Sequence, residues 1–351
     1  MKNLVIAVML IAAQTFCAIE TNAQESSATF EHQAVSVTTS EGLNLSAFVT
    51  RPAGKTKRLP AIFLTQWVSC GSIAPRADRV SIEERVALAA GYALIRVDRA
   101  GTGGSEGPGC DKLDYDSEVR HYREALDQLR QHEWIDPAGI VIYGSSLGST
   151  TAPLVALGND VAGVIVQGAG ALTYFERMLH FDRIQLERQP DFDPSSVHHE
   201  MSRRMEFQRH YLLEKMTPDV IEAAHPELAG VWESLRGTSD APHYGRPYAW
   251  HWQAADKDWL GAWAQIDAPV MVVYGEYEQF ESRHGHRVIV DTINRLRPGT
   301  ANWLEVPQAG HDLAIYPDPY AAYSFDGGVS KPELFVEPVA EWLRSIARTS
   351  D

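Results

Sequence analysis

The sequence predicts an α/β fold built on a mainly parallel, eight-stranded sheet flanked by helices. Three observations carry this. Short apolar runs alternate with stretches of helical period from residue 59 to 170. Those runs are apolar throughout instead of at every second residue, as strands covered on both faces are. The alternation stops over 171–264 and resumes from 268. One α/β domain interrupted by a helical cap insertion accounts for all three.

The elements follow in order. "EHQAVSVTTSEGLNLSAFVTRP" (31–52) is two strands joined at Ser40-Glu41-Gly42, a hairpin-like start. "LPAIFLTQW" (59–67) is a buried strand. In "SIEERVALAAGY" (81–92), Ser81 caps a helix, Glu84 follows three residues on, and an apolar stripe comes next. "YALIRVD" (92–98) is a strand, and "KLDYDSEVRHYREALDQLRQH" (112–132) is a long helix with a charged face. "GIVIYG" (139–144), a helix over 146–157 and the strand "AGVIVQGAG" (162–170) complete the first half. The insertion holds polar, helix-like stretches such as "SSVHHEMSRRMEFQRHYLLEKM" and shows no strand pattern. The strand "APVMVVYGE" (268–276), a helix over 283–297, the strand "ANWLEVP" (301–307) and a helix near 332–348 close the chain.

Composition narrows the class of protein. With 351 residues, 44% apolar and 22% charged, the chain can bury a large globular core. A net charge of −15 argues against nucleic acid and anionic membrane surfaces as partners. Lys2, the apolar run "LVIAVMLIAA" (4–13) and the small residues of "TNA" (21–23) form a signal-peptide pattern with cleavage near Ala23. No run approaches the ~18 apolar residues of a membrane span. We therefore expect a secreted or periplasmic protein: a leader over 1–23, a core over 24–170 and 265–351, and the cap over 171–264. Cleavage removes Cys17 and leaves Cys70 and Cys110. An even count in an oxidising compartment permits one disulfide, with two buried free thiols as the alternative.

The chemistry concentrates at strand ends. Gly144-Ser145-Ser146-Leu147-Gly148 places a serine between glycines where a buried strand turns into a helix. In so tight a turn the neighbours must be small, and the helix N-terminus points backbone N–H groups at the site. A serine hydroxyl needs a base. His311, in "PQAGHDLA" (307–314), follows the last strand directly. The preceding strand runs into "GEYEQFE" (275–281), which puts Glu278 where Gly-x-x-Asp would place the acid, with Glu276 as the alternative. The order Ser, acid, His is that of the nucleophile-elbow motif.

On "GSSLG", "GEYE", "GHD" and this order of elements, the chain resembles the α/β-hydrolase superfamily over most of its mature length. The stretch "GYALIRVDRAGTGGSEG" (91–107) is similar to X-Pro dipeptidyl-peptidase and cocaine-esterase-like hydrolases, although there is no room for their C-terminal jelly-roll domain. The resemblance implies a serine hydrolase acting on small carboxylic esters, needing no cofactor or metal, with a peptidase or amidase on short peptides as the alternative. A catalytically silent binding protein is disfavoured, because each triad slot holds a competent residue. The resemblance also implies that the turn after "AIFLT" gives one oxyanion donor, the amide of Gln66 or Trp67, with Leu147 as the other. It further implies that the loops after 65 and 98 are adjacent, which supports a Cys70–Cys110 bridge.

The remaining features have plainer expectations. "DRAGTGGSEG" (98–107) lacks the Lys-Ser/Thr of a P-loop and is expected to be structural. "HHE" (198–200) and "HGH" (284–286) lack metal-ligand spacing and are expected at the surface. Five of the nine tryptophans lie between 232 and 263. They either pack the cap onto the core or line a substrate pocket, for which Tyr248, Trp250 and Trp252 are the candidates. The aromatic loop "YPDPYAAYSF" (316–325) is a candidate for the same pocket.

Overall fold

The computed structural model describes residues 29–168, 170–188, 192–236 and 243–348. The expected leader over 1–23 lies outside the described residues. The chain opens with a hairpin of β1 (Phe30–Thr38) and β2 (Asn44–Pro52), closed where Gly42 N–H donates to Thr39 O. Then follow β3 (Leu59–Thr65), α1 (Ile82–Ala90), β4 (Ala93–Val97), α2 (Tyr115–Leu129), β5 (Ile135–Ser145), α3 (Gly148–Ala156) and β6 (Gly163–Gln167). Ser81 and Glu84 form the expected capping box at the start of α1.

The insertion is helical throughout its described part. It holds α4 (Tyr174–Glu187), α5 (Pro194–Gln208), a π-helical turn over Arg209–Leu213, α6 (Pro218–Ala224), α7 (Val231–Arg236), α8 (Tyr248–Ala255) and α9 (Trp259–Ala264). The core resumes with β7 (Val270–Gly275), α10 (Arg283–Leu296), β8 (Ala301–Val306), α11 (Pro319–Ser324) and α12 (Glu333–Arg348).

The strands form one eight-stranded sheet in the order β1-β2-β4-β3-β5-β6-β7-β8. β2 runs antiparallel to both β1 and β4, and β3 to β8 are parallel. The continuous apolar runs are explained by two covered faces. Ala61, Phe63, Ile140, Ile142, Val164 and Val166 pack one way, against α2, α3 and α10. Their alternates Ile62, Leu64, Val141 and Ile165 pack the other way, against α1 and α12. Apart from Ala61, each of these side chains contributes roughly 1.5–3 kcal/mol on burial. The expected cap boundary at 264 ends α9, and that helix belongs to both parts: Trp263 joins the sheet core, while Trp259 joins the aromatic core of the insertion.

Parallel strands all end on the same side, so the loops after β3, β4, β5, β7 and β8 share one sheet edge. The triad, oxyanion and disulfide candidates from the sequence lie in those loops, whereas the pocket candidates Tyr248, Trp250 and Trp252 lie on α8 of the insertion.

Candidate active site

β5 ends at Ser145, and α3 begins at Gly148. Between them Ser146 takes φ 50°, a left-handed conformation that costs a non-glycine residue about 1–2 kcal/mol. Hydrogen bonds hold it there: Ser146 N–H donates to Gln167 O (2.7 Å), and Ser149 Oγ donates to Gly144 O (2.8 Å). A Cβ at Gly148 would stand 2.0 Å from Thr65 O, and one at Gly144 2.6 Å from Ser149 Cα. Both glycines are thus required by close backbone approach.

Ser146 Oγ lies 2.8 Å from His311 Nε2. The other ring nitrogen, Nδ1, lies 2.9 and 2.8 Å from the two oxygens of Glu278. An ionised carboxylate only accepts, so the proton sits on Nδ1 and leaves Nε2 to accept from the serine. Glu278 is buried, and its Oε1 also accepts the Phe280 amide (2.9 Å). Burial disfavours both charges, yet mutual attraction outweighs it. His311 is raised above the ordinary histidine value and Glu278 lowered below the ordinary carboxylate value. The alternative acid, Glu276, is exposed and accepts the Gln308 amide instead.

The expected oxyanion donors separate. The amides of Leu147 and Trp67 donate to no described residue. Gln66 does not share this property: its amide donates to Tyr122 Oη (3.3 Å), which removes it as a donor. Cys70 and Cys110 form a disulfide with Cα atoms 5.8 Å apart, so the loops after β3 and β4 are adjacent. The loop from Gln66 to Ile73 is held further by Asp98, whose oxygens accept Ile73 N–H and Ser72 Oγ–H (both 2.7 Å).

Several residues at the site were not singled out from the sequence. Gln279 Oε1 accepts the His311 amide (2.9 Å), and Gln167 Nε2 donates to His311 O (2.8 Å), so two buried glutamines fix the histidine loop. Arg99 donates to the carbonyls of Gln66, Trp67 and Ser69. Gln279 adjoins Glu278 and Arg99 adjoins Asp98, but nothing in a single sequence marks a buried amide or arginine as pointing at a neighbouring loop.

The expected pocket residues need correction. Trp250 is 1% exposed and donates through Nε1 to Glu118 Oε2 (3.1 Å), so it packs the insertion onto the core and lines no open pocket. Tyr248 and Trp252 stack on each other, and Tyr248 meets Tyr211 and Trp232 in the insertion's own aromatic core. The aromatic side chain beside His311 is Phe280, edge to face at 4.9 Å, with Phe181 of α4 and Phe325 packed behind it. The expected aromatic loop thus contributes Phe325.

His198, His199 and His284 are exposed as expected, but His286 is fully buried, with its Nδ1 2.9 Å from Ser282 O. Among the described residues, Glu206, His210 and His225 stand close enough to share an ion. Both ring nitrogens of His210 are otherwise engaged. Glu214 takes His210 Nδ1, Arg209 donates to His210 Nε2, and the two imidazoles stack face to face at 4.2 Å, so their lone pairs do not converge.

A profile of the alpha/beta hydrolase family matches residues 71–323, and the chain belongs to that family. No curated protein matches the chain by sequence. Among solved structures it is similar to an esterase of Pyrococcus furiosus (14% identity, 90% of this chain and 91% of that one, TM-score 0.52). It is also similar to carboxyl esterase 2 of the fungus Tuber melanosporum (12% identity, 93% and 89%, TM-score 0.51). A hypothetical protein of Pseudomonas aeruginosa has the same fold (16% identity, 93% and 98%, TM-score 0.53). No described helix is long and apolar enough to cross a membrane.

Proposed function

We propose that the protein is a secreted serine hydrolase of small carboxylic esters, with Ser146, His311 and Glu278 as its triad. The observation that supports this most directly is the continuous hydrogen-bonded chain from Ser146 Oγ through His311 to Glu278. Ser146 Oγ attacks the ester carbonyl while His311 Nε2 takes its proton. Glu278 stabilises the imidazolium, and the amides of Leu147 and Trp67 receive the oxyanion. The proton on Nε2 passes to the departing alcohol, leaving an acyl group on Ser146. Water, deprotonated by the same imidazole, then releases the acid. No step needs a metal or cofactor.

Ester rather than amide is favoured by the fate of a nearby acid. An aminopeptidase needs free carboxylates for the substrate's ammonium. Glu281, which acts on His311, is ion-paired with the buried Arg177 and so is not free to hold an ammonium. Phe181, Phe280 and Phe325 are the proposed acyl-side wall. Secretion is supported by the leader pattern and by the disulfide.

The test is hydrolysis of p-nitrophenyl esters from acetate to octanoate beside peptide p-nitroanilides, with wild type and Ser146→Ala. We expect ester turnover that falls roughly 1,000-fold or more in Ser146→Ala. Turnover confined to the anilides would move the assignment to a peptidase. Activity that survives Ser146→Ala would refute the triad.

A further inference from the structure

A buried ionic cluster joins the insertion to the loop that carries the Trp67 amide. Arg99, on the loop after β4, donates through Nη2 to Gln66 O (2.8 Å) and Trp67 O (2.6 Å), and through Nη1 to Ser69 O (2.6 Å). Gln66 O and Trp67 N–H belong to one planar, trans peptide, so they point in opposite directions. A guanidinium that fixes the carbonyl therefore also fixes the line along which the amide points.

Arg99 is fixed in turn. Its Nε donates to Glu118 Oε1 of α2 (2.7 Å), and the two side chains are 1% and 3% exposed. The second oxygen of Glu118 faces the insertion. It accepts Trp250 Nε1–H of α8 (3.1 Å) and lies 3.3 Å from Nη1 of the fully buried Arg246, just before α8. Burial lowers Arg246 to about 10 against the pull of Glu118, so it stays charged at neutral pH. Taking two guanidiniums and a carboxylate out of water costs several kcal/mol per ion before pairing offsets it. Stability is thus a poor reason for the cluster, and placement of the loop is a better one.

We propose that Arg99 and Glu118 are positioning residues for the Trp67 amide, and that Trp250 and Arg246 make this positioning depend on how the insertion is seated. The inference rests on the proposed role of Trp67 as an oxyanion donor. Contacts between substrate and insertion that shift α8 would then change transition-state stabilisation without touching the triad.

The test compares wild type with Trp250→Phe, which keeps an aromatic ring and removes the donor, and with Glu118→Gln, which keeps the shape and removes the charge. Leu343→Ala, buried against the opposite face of the sheet, controls for lost stability. For each, kcat and KM are measured on the preferred p-nitrophenyl ester. Affinity is measured for a trifluoromethyl ketone, whose adduct with Ser146 carries an oxyanion. Removing one oxyanion donor outright costs roughly 100- to 1,000-fold in kcat, so a misaimed donor should cost less. We expect roughly tenfold lower kcat in Trp250→Phe and a larger fall in Glu118→Gln. KM should stay within about twofold, with ketone affinity weakened by the same factor as kcat. Leu343→Ala should lose stability with kcat and ketone affinity kept.

If Trp250→Phe folds with unchanged kcat and ketone affinity, the inference is overturned while the proposed function stands. A fall in kcat without weaker ketone binding, or an equal fall in Leu343→Ala, overturns it as well, because general destabilisation then explains the effect. A wild type without Ser146-dependent ester turnover removes the proposed function itself, and this inference with it.

Discussion

Ser146 is held at φ 50° by neighbours that admit no side chain, and this geometry makes two substitutions informative. Gly148→Ala would place a methyl 2.0 Å from Thr65 O, a backbone atom that cannot swing away. We predict a loss of about 2 kcal/mol or more, read from the urea midpoint. A variant as stable as wild type would mean the turn can open. The second concerns charge. His311 must be neutral to accept the serine proton, and the Glu278 carboxylate raises it above the ordinary 6.5. The acid limb of kcat/KM should therefore turn over above about pH 6.5. In Glu278→Gln the largest raising contribution is gone while burial remains, so the limb should move to lower pH. The plateau should fall roughly 1,000- to 10,000-fold, because the tautomer is no longer held. An unmoved limb would show that Glu278 does not govern His311.

At the scale of elements, the site is a set of loops fastened at one sheet edge. The loop after β3 is tied by the disulfide, by Asp98 and by Arg99. Cys70 and Cys110 are 40 residues apart, and closing such a loop contributes about 4 kcal/mol on the chain-entropy account. Cys110→Ser should therefore lower stability by roughly 2–4 kcal/mol in urea unfolding. A change below about 0.5 kcal/mol would show that Asp98 and Arg99 suffice. The strands were legible in the sequence because burial on both faces leaves runs such as "AIFLT" and "GIVIYG" without polar interruptions. The positions of Ser146, Glu278 and His311 were legible because each directly follows a strand that is easy to recognise. Arg99 and Glu118 were not. On a charged helix and a glycine-rich loop, a buried ion looks like any solvated one. Their partners lie some twenty to over a hundred residues away in sequence.

At the scale of the molecule, the insertion is a second, smaller aromatic core seated on the first. Leu147, directly after Ser146, belongs to the same cluster as Tyr115, Tyr174, Trp250 and Trp259. Its tryptophans were visible in the sequence, but their direction was not. "YAWHWQAA" is apolar around most of the helix, so no period shows which face turns inward. Tyr248, Trp250 and Trp252 thus stand out in the sequence as pocket candidates, whereas Phe280, one of two aromatics in an acidic loop, is the ring that meets His311.

The central claim is that an acyl group passes through Ser146, and trapping that intermediate tests it most directly. The protein is mixed with excess p-nitrophenyl ester, quenched in acid during the first turnover, digested and weighed by mass spectrometry. The account predicts a burst of p-nitrophenol and one acyl mass on the peptide containing Ser146, absent in Ser146→Ala. Turnover with the acyl mass on another residue, or with the burst intact in Ser146→Ala, would contradict it.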